Sequence, residues 1–123
     1  MFVMIDKAYL DAHPNEVFVF GDNDERRGKA GAASLRDHPQ TFGFSTKKRP
    51  GMRNEDFYTP EEYRKRFEEE KARLIEHMRQ NPDKTYLMSK IGSGLANRNK
   101  IYENVIFPEL EKLVKEEEQV VLL

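Results

Sequence analysis

Four consecutive apolar residues, Val17-Phe18-Val19-Phe20, stopped by Gly21, constrain this chain more than any other stretch. A run that is β-branched or aromatic at every position keeps no polar face for water. It reads as a strand buried on both sides, as in a parallel sheet covered by helices. The pattern recurs. Phe42-Gly43-Phe44-Ser45, Thr85-Tyr86-Leu87-Met88 and Val120 to Leu123 read as strands, and Phe2 to Ile5 is a candidate first one.

Helical signals fill the gaps. Ala30 to Leu35 is rich in small residues and suits a tightly packed helix. Thr59 is an N-cap residue, Pro60 fits the first helical position, and Glu62 completes a capping box. Tyr63, Phe67, Leu74, Ile75 and Met78 follow at helical spacing on an otherwise charged segment. That helix should stop near Asn81-Pro82, because the residue before proline avoids the helical region. Ile101, Val105, Ile106, Leu110, Leu113 and Val114 form a second stripe, with a kink or break expected at Pro108. Strands alternating with helices predict a three-layer α/β/α domain of minimal size around a mostly parallel sheet, one domain spanning 1–123. Right-handed crossovers send the long loops off the carboxyl ends of the strands, the edge where open α/β sheets bind ligands.

Composition narrows the chemistry. The chain has 123 residues and no cysteine, which excludes disulfides, thiolate metal sites and cysteine nucleophiles. His13, His38 and His77 are widely spaced, so no metal site and no cofactor is expected. His77 reads as a solvated helix residue and His38-Pro39 as a turn. No apolar run is long enough to span a membrane, and the start lacks a signal peptide's basic and apolar regions. A soluble, cytoplasmic chain without membrane partners is expected.

Three loops carry the candidate site. The first, Gly21-Asp22-Asn23 through Gly28-Lys29-Ala30-Gly31, has glycines spaced to bring backbone close to a phosphate, although it is neither the P-loop nor the dinucleotide fingerprint. Asp22, Asp24 and Glu25 are its candidate acids. The second carries Thr46-Lys47-Lys48-Arg49 directly after a strand. Lys47 there is a phosphate contact or, if desolvated, a nucleophile towards a sugar C1 or a carbonyl. The third, Ile91-Gly92-Ser93-Gly94-Leu95, allows a backbone nest over an anion. No His–Asp partner accompanies Ser93, so a catalytic serine is not expected. Phe44, Phe57 and Tyr58 are candidates for stacking on a base, with core packing the alternative for Phe44.

Taken together, the three loops resemble a macrodomain, and most closely the branch with terminal ADP-ribose glycohydrolase and the antitoxins that reverse DNA ADP-ribosylation. The strand and loop from Val17 to Ala33 look like that family's asparagine-containing strand end and Gly-Lys-Gly helix start. Ser45-Thr46-Lys47-Lys48-Arg49 looks like its Thr-Lys segment, and Lys90-Ile91-Gly92-Ser93-Gly94-Leu95 like its Ile-Gly-Cys-Gly-Leu phosphate loop. The overall organisation also resembles small proteins of phage and bacterial genomes. The resemblance covers roughly 17–123. It implies ADP-ribose binding, with Asn23 near the distal ribose, Gly28 to Gly31 near the diphosphate, and Gly92 to Leu95 wrapping the phosphates from the other side. It aligns Lys47 with a lysine that attacks the anomeric carbon, assisted by an aspartate. That aspartate is Ala96 here, and Asn97 is a poor substitute for an acid.

Three readings therefore stand. The first is an ADP-ribose binder extended to removal of ADP-ribose from nucleic acid or protein as a hydrolase. The second is a non-catalytic sensor or sequestering protein for a nucleotide signal, which the change to Ala96 favours. The third is a nucleic-acid-binding accessory protein resting on Lys47, Lys48, Arg49, Arg53, Lys90, Arg98 and Lys100. Net charge is −1, yet the three loops, taken as 21–29, 46–59 and 89–100, hold ten basic and five acidic residues, leaving −6 for the rest. Near-neutrality is an average of an acidic helical body and a basic ligand edge.

Overall fold

The computed structural model describes residues 5–123, so residues 2–4 of the expected first strand lie outside it. A short helix α1 (Lys7–Ala12), capped by Asp6, leads into strand β1 (Glu16–Asn23). Strand β2 (Thr41–Lys47), helix α2 (Pro60–Gln80) and strand β3 (Thr85–Met88) follow. Helix α3 (Phe107–Glu116) and strand β4 (Val120–Leu122) complete the order. The four strands form one sheet in the order β2-β1-β3-β4, and every pair is parallel.

The apolar run lies at the centre of this sheet because it is buried on both faces. Val17 and Val19 join Phe42, Phe44, Tyr86 and Met88 under Tyr63, Phe67, Leu74 and Met78 of α2 and Leu110 and Leu113 of α3. Phe20 points the other way and is equally buried, with Leu10 of α1 and Leu87. Burying each such ring or branched chain stabilises by roughly 1.5–3 kcal/mol. The fold is thus a three-layer α/β/α arrangement with unequal outer layers: two helices on one face, one short helix and an irregular segment on the other.

Helix α2 begins as its sequence dictates. Thr59 Oγ1 accepts from Glu62 N–H and the Glu62 carboxylate accepts from Thr59 N–H. The helix ends at Gln80, one residue before Asn81-Pro82. The second stripe splits, as Pro108 requires. A wide π turn over Tyr102–Ile106 precedes α3, and Pro108 takes a place in the first turn of α3, where its missing N–H is not needed.

Two local expectations are corrected. Residues 30–35 form no packed helix. They hold a single 3-10 turn, Gly31–Ala33, with Gly28 to Ala32 exposed. Three consecutive small side chains offer little apolar surface to bury, so the segment gains nothing by docking. Gly21-Asp22-Asn23 is not loop but the end of β1. It stays extended because β2 runs alongside, pairing Gly21 with Phe44 and Asp22 with Ser45 before a shift of register at Asn23.

Candidate functional site

The parallel strands bring all three loops to one edge of the sheet. A methyl group added to Gly21 would lie 3.6 Å from both Gly92 N and Thr46 Oγ1, so β1, β2 and the third loop meet there. Gly92 has φ +77°, and a side chain on it would run into Ile106 Cδ1. Glycine is therefore required twice over, by conformation and by space. Gly28 (φ +96°) and Gly31 (φ +56°) also sit in the left-handed region, with open space around them; Gly94, at φ −97° and ψ −122°, likewise has open space. Among the described residues, neither Gly92 N–H nor Gly94 N–H donates to a backbone carbonyl. Ser93 is exposed and its hydroxyl donates to Lys90 O at 2.6 Å. Ile91 is buried beneath this loop, whereas Leu95 is 77% exposed at its rim.

The polar side chains at this edge are committed elsewhere. The Asp22 carboxylate, 1% exposed, takes both terminal nitrogens of Arg36 at 2.6 and 2.9 Å and a longer contact from Arg26 at 3.5 Å. A methyl at Gly43 would collide with it, which explains glycine inside β2. Asn23 folds its carboxamide into its own loop: Oδ1 accepts from Glu25 N–H and Nδ2 donates to Arg27 O. Asp24 accepts from Ser45 Oγ, Tyr58 OH and Arg66 Nε. Burial pushes the Asp24 carboxyl up, but those donors outweigh it and hold it below the usual carboxylate range. Of the three candidate acids, Asp22 and Asp24 are locked into the framework, and Glu25 pairs with Arg27. Lys29 is exposed and pairs with Asp37.

Lys47 ends β2 with its ammonium turned onto the second loop. Nζ donates to Gly51 O at 2.6 Å and lies 4.5 Å from the centre of the Phe57 ring. Burial pushes its pKa down and Arg98 pushes the same way, against the charge of Asp56. Arg98, from the third loop, stacks on the same ring at 4.0 Å and donates to Met52 O and Asn54 Oδ1. Phe57 is thus buried between two cations that join the second and third loops, and Tyr58 is buried beside it. Neither is free to stack on a base, and Phe44 is core.

The basic cluster is likewise divided. Lys48 pairs with Glu62, whose carboxyl is held down to about 2 by that lysine and by Thr59 N–H. Arg49 pairs with buried Asp56. Lys90 and Lys100 are exposed on the third loop. Ala96 is buried within the 3-10 turn Leu95–Asn99, and no acid stands at that position.

Sequence reasoning missed Arg26, Arg36, Arg66, Arg73 and Glu70. Glu70, 1% exposed on α2, accepts from Ser45 N–H and from Arg26 and Arg73, and pairs with Arg66. An acid on the apolar side of an amphipathic helix, three residues after Phe67, was the available signal. His77 is also not solvated: it is half-buried, its Nδ1 2.6 Å from Tyr86 OH.

Among the described residues, clefts open at both ends of the strands. The larger, about 440 Å³, lies between α1 and the segment leading into β2, lined by Lys7, Asp11, His38 and Gln40 at the amino ends of the strands. No candidate residue lines it. The smaller, about 280 Å³, lies at the carboxyl edge between Arg27 of the first loop and Arg49 to Asp56 of the second. Among the described residues no helix is long and apolar enough to cross a membrane.

A family described as "Family of unknown function (DUF7831)" matches residues 3–101, most of the chain, and the chain belongs to that family. No curated protein and no solved structure matches it.

Proposed function

We propose that this DUF7831 member binds a nucleotide diphosphate of the ADP-ribose type at the carboxyl edge of its sheet, with the diphosphate between the first and third loops. The observation that carries this reading is the convergence of Gly21, Thr46 and Gly92, with open space around Gly28 and Gly31 of the first loop and Gly94 of the third. Backbone N–H groups of such loops bind oxyanions without a dedicated cation. The order of the three loops along the chain is that of the macrodomains they resemble, which supports the choice of ligand. Lys29 to Gly31 flank the phosphates in this reading. Ile91, Ser93 and Leu95 shape the opposite wall.

The binding here is non-catalytic, as in a sensor or sequestering protein. Asp22 is neutralised by Arg36, no acid stands at Ala96, and the Lys47 ammonium already serves two carbonyls, Gly51 and, at 3.4 Å, Pro50. A second reading, removal of ADP-ribose from nucleic acid or protein, has one observation in its favour: burial lowers the Lys47 pKa, the direction a nucleophilic amine needs.

Calorimetric titration with ADP-ribose and NAD tests binding. Gly94→Glu puts bulk and negative charge into open space at the third loop, so it should abolish ADP-ribose binding while leaving the melting temperature unchanged. Unaltered affinity in that variant would refute the site. Incubation with ADP-ribosylated DNA and protein, beside Lys47→Ala, tests turnover: neither form should release ADP-ribose, and release by the wild type alone would favour the hydrolase.

A further inference from the structure

The cleft of about 280 Å³ between the first and second loops is walled by the Pro50-Gly51 turn to which Lys47 donates, and the ADP-ribose reading makes no use of it. Its cations come from two separate loops: Arg27 from the first, Arg49 and Arg53 from either side of the Pro50-Gly51 turn. Of its two acids, Asp56 serves as a strut through its carboxylate, and Glu55 supplies its backbone carbonyl while its carboxylate stays exposed. Asp56 is buried and accepts from Arg49 Nε at 2.9 Å and Arg53 N–H at 3.0 Å. Arg49 Nη2 donates to Glu55 O at 2.9 Å, which fixes the guanidinium plane. Glu55 approaches Arg53 only to 3.9 Å. Arg27 spends its Nε on Glu25, and among the described residues its two terminal nitrogens make no hydrogen bond. Arg49 keeps one terminal nitrogen, and the Arg53 side chain is 84% exposed.

We propose that this cleft is a binding site for a phosphate monoester dianion, held by the terminal guanidinium nitrogens of Arg27, Arg49 and Arg53. Guanidinium forks match the oxygens of a phosphate, and such charge-assisted bonds are the stronger kind. Size and surroundings select a small ligand over a polynucleotide strand. A strand needs a run of available cations to either side. Here the neighbours are engaged: Lys48 by Glu62, Arg26 and Arg36 by Asp22, Lys29 by Asp37, and Lys47 by Gly51 O. The site is independent of the ADP-ribose reading and stands or falls without it.

The test follows the arginine Nε–Hε signals by NMR during titration with inorganic phosphate and, separately, ribose 5-phosphate. Both should shift Arg27, Arg49 and Arg53 together. Arg53→Ala and Arg27→Ala, exposed side chains whose loss leaves the Arg49–Asp56 pair in place, should each weaken binding at least about tenfold. Lys100→Ala should leave it unchanged. ADP-ribose affinity measured on Arg53→Ala should match the wild type, which separates this site from the diphosphate site. Absence of shifts with both probes, equal affinity in the arginine variants, or a response only to a single-stranded oligonucleotide would overturn the proposal.

Discussion

Asp22 holds a carboxylate at 1% exposure near the carboxyl end of β1, and its charge is answered by Arg36 in a two-pronged contact and by Arg26 more distantly. A buried carboxylate without its cation is expensive, and removing one partner of such a pair typically costs about 3–5 kcal/mol. Arg36 also donates to Gly28 O and Arg27 O, so one guanidinium ties the sheet to the exposed glycine turn of the first loop. Arg36→Met keeps the packing over Phe20 and removes only the charge and donors. It should lower unfolding free energy by about 3 kcal/mol in chemical denaturation, and Arg36→Met combined with Asp22→Asn should recover part of that loss. Full additivity of the two changes would mean that the pair does not act as a unit. None of this was legible in the sequence. Asp22 sits in a Gly-Asp-Asn string whose local signal is a turn, and its partner is fourteen residues away in a segment without periodicity. Lys47 is a similar case: its place at a strand end was legible, although it is the last residue of β2 and not the first after it, but its direction was set by Gly51 and Phe57, which no spacing rule links to it.

At the scale of elements, what was legible follows from period and capping. β3 runs over the residues expected from Thr85-Tyr86-Leu87-Met88, and α2 starts and stops on its Thr59 cap and Asn81-Pro82. What was not legible is how β2, an edge strand, avoids pairing with another chain. Its outward Gly43 carbonyl accepts from Arg26 and Arg73, its Ser45 N–H donates to Glu70, and its Ser45 carbonyl accepts from Tyr63 OH. Side chains of α2 and the first loop thus occupy the groups that an incoming strand would use. Glu70 is central to this arrangement. Burial pushes its carboxyl up, but Arg73, Ser45 N–H and Arg26 together hold it below the ordinary range. A depressed folded-state pKa contributes stability that is complete above the unfolded value of about 4.3 and is lost as pH falls through the folded value. The Glu70 contribution should therefore be flat from pH 7 to about 5 and decline below about 4.3. Glu70→Gln should remove about 2–3 kcal/mol at neutral pH and give a shallower acid limb, read from urea midpoints across pH. An acid limb as steep as the wild type's would show that Glu70 is not a source of the dependence.

For the whole molecule, charge is sorted by position. The net −1 of the chain divides into +5 on the three loops and −6 on the remainder. The structure sorts the loop charge further: much of it is paired within the fold, Arg26 with Asp22 and Glu70, Lys29 with Asp37, Lys48 with Glu62 and Arg49 with Asp56. The carboxyl edge is consequently a mosaic of glycine backbone and a few available guanidinium groups, not a continuous basic face. This bears on the ligand. A binder of a compact diphosphate through backbone N–H groups releases few counterions, so its affinity should fall only weakly with salt. A binder of nucleic-acid backbone through six or more phosphates would lose about 10³-fold or more between 50 and 200 mM salt. Stability offers an independent readout. A ligand at about a hundred times its Kd that binds only the folded state adds about 2.7 kcal/mol. For a chain of this length that corresponds to a rise in Tm of roughly 10 °C. ADP-ribose at saturation should therefore raise the wild-type Tm by that order at both 50 and 200 mM sodium chloride, and leave Gly94→Glu unmoved. A single-stranded oligonucleotide should give no comparable shift at 200 mM. A rise with the oligonucleotide that vanishes steeply with salt, and none with ADP-ribose, would transfer the function to the nucleic-acid reading, with Lys90, Lys100 and Arg98 of the third loop as its contacts.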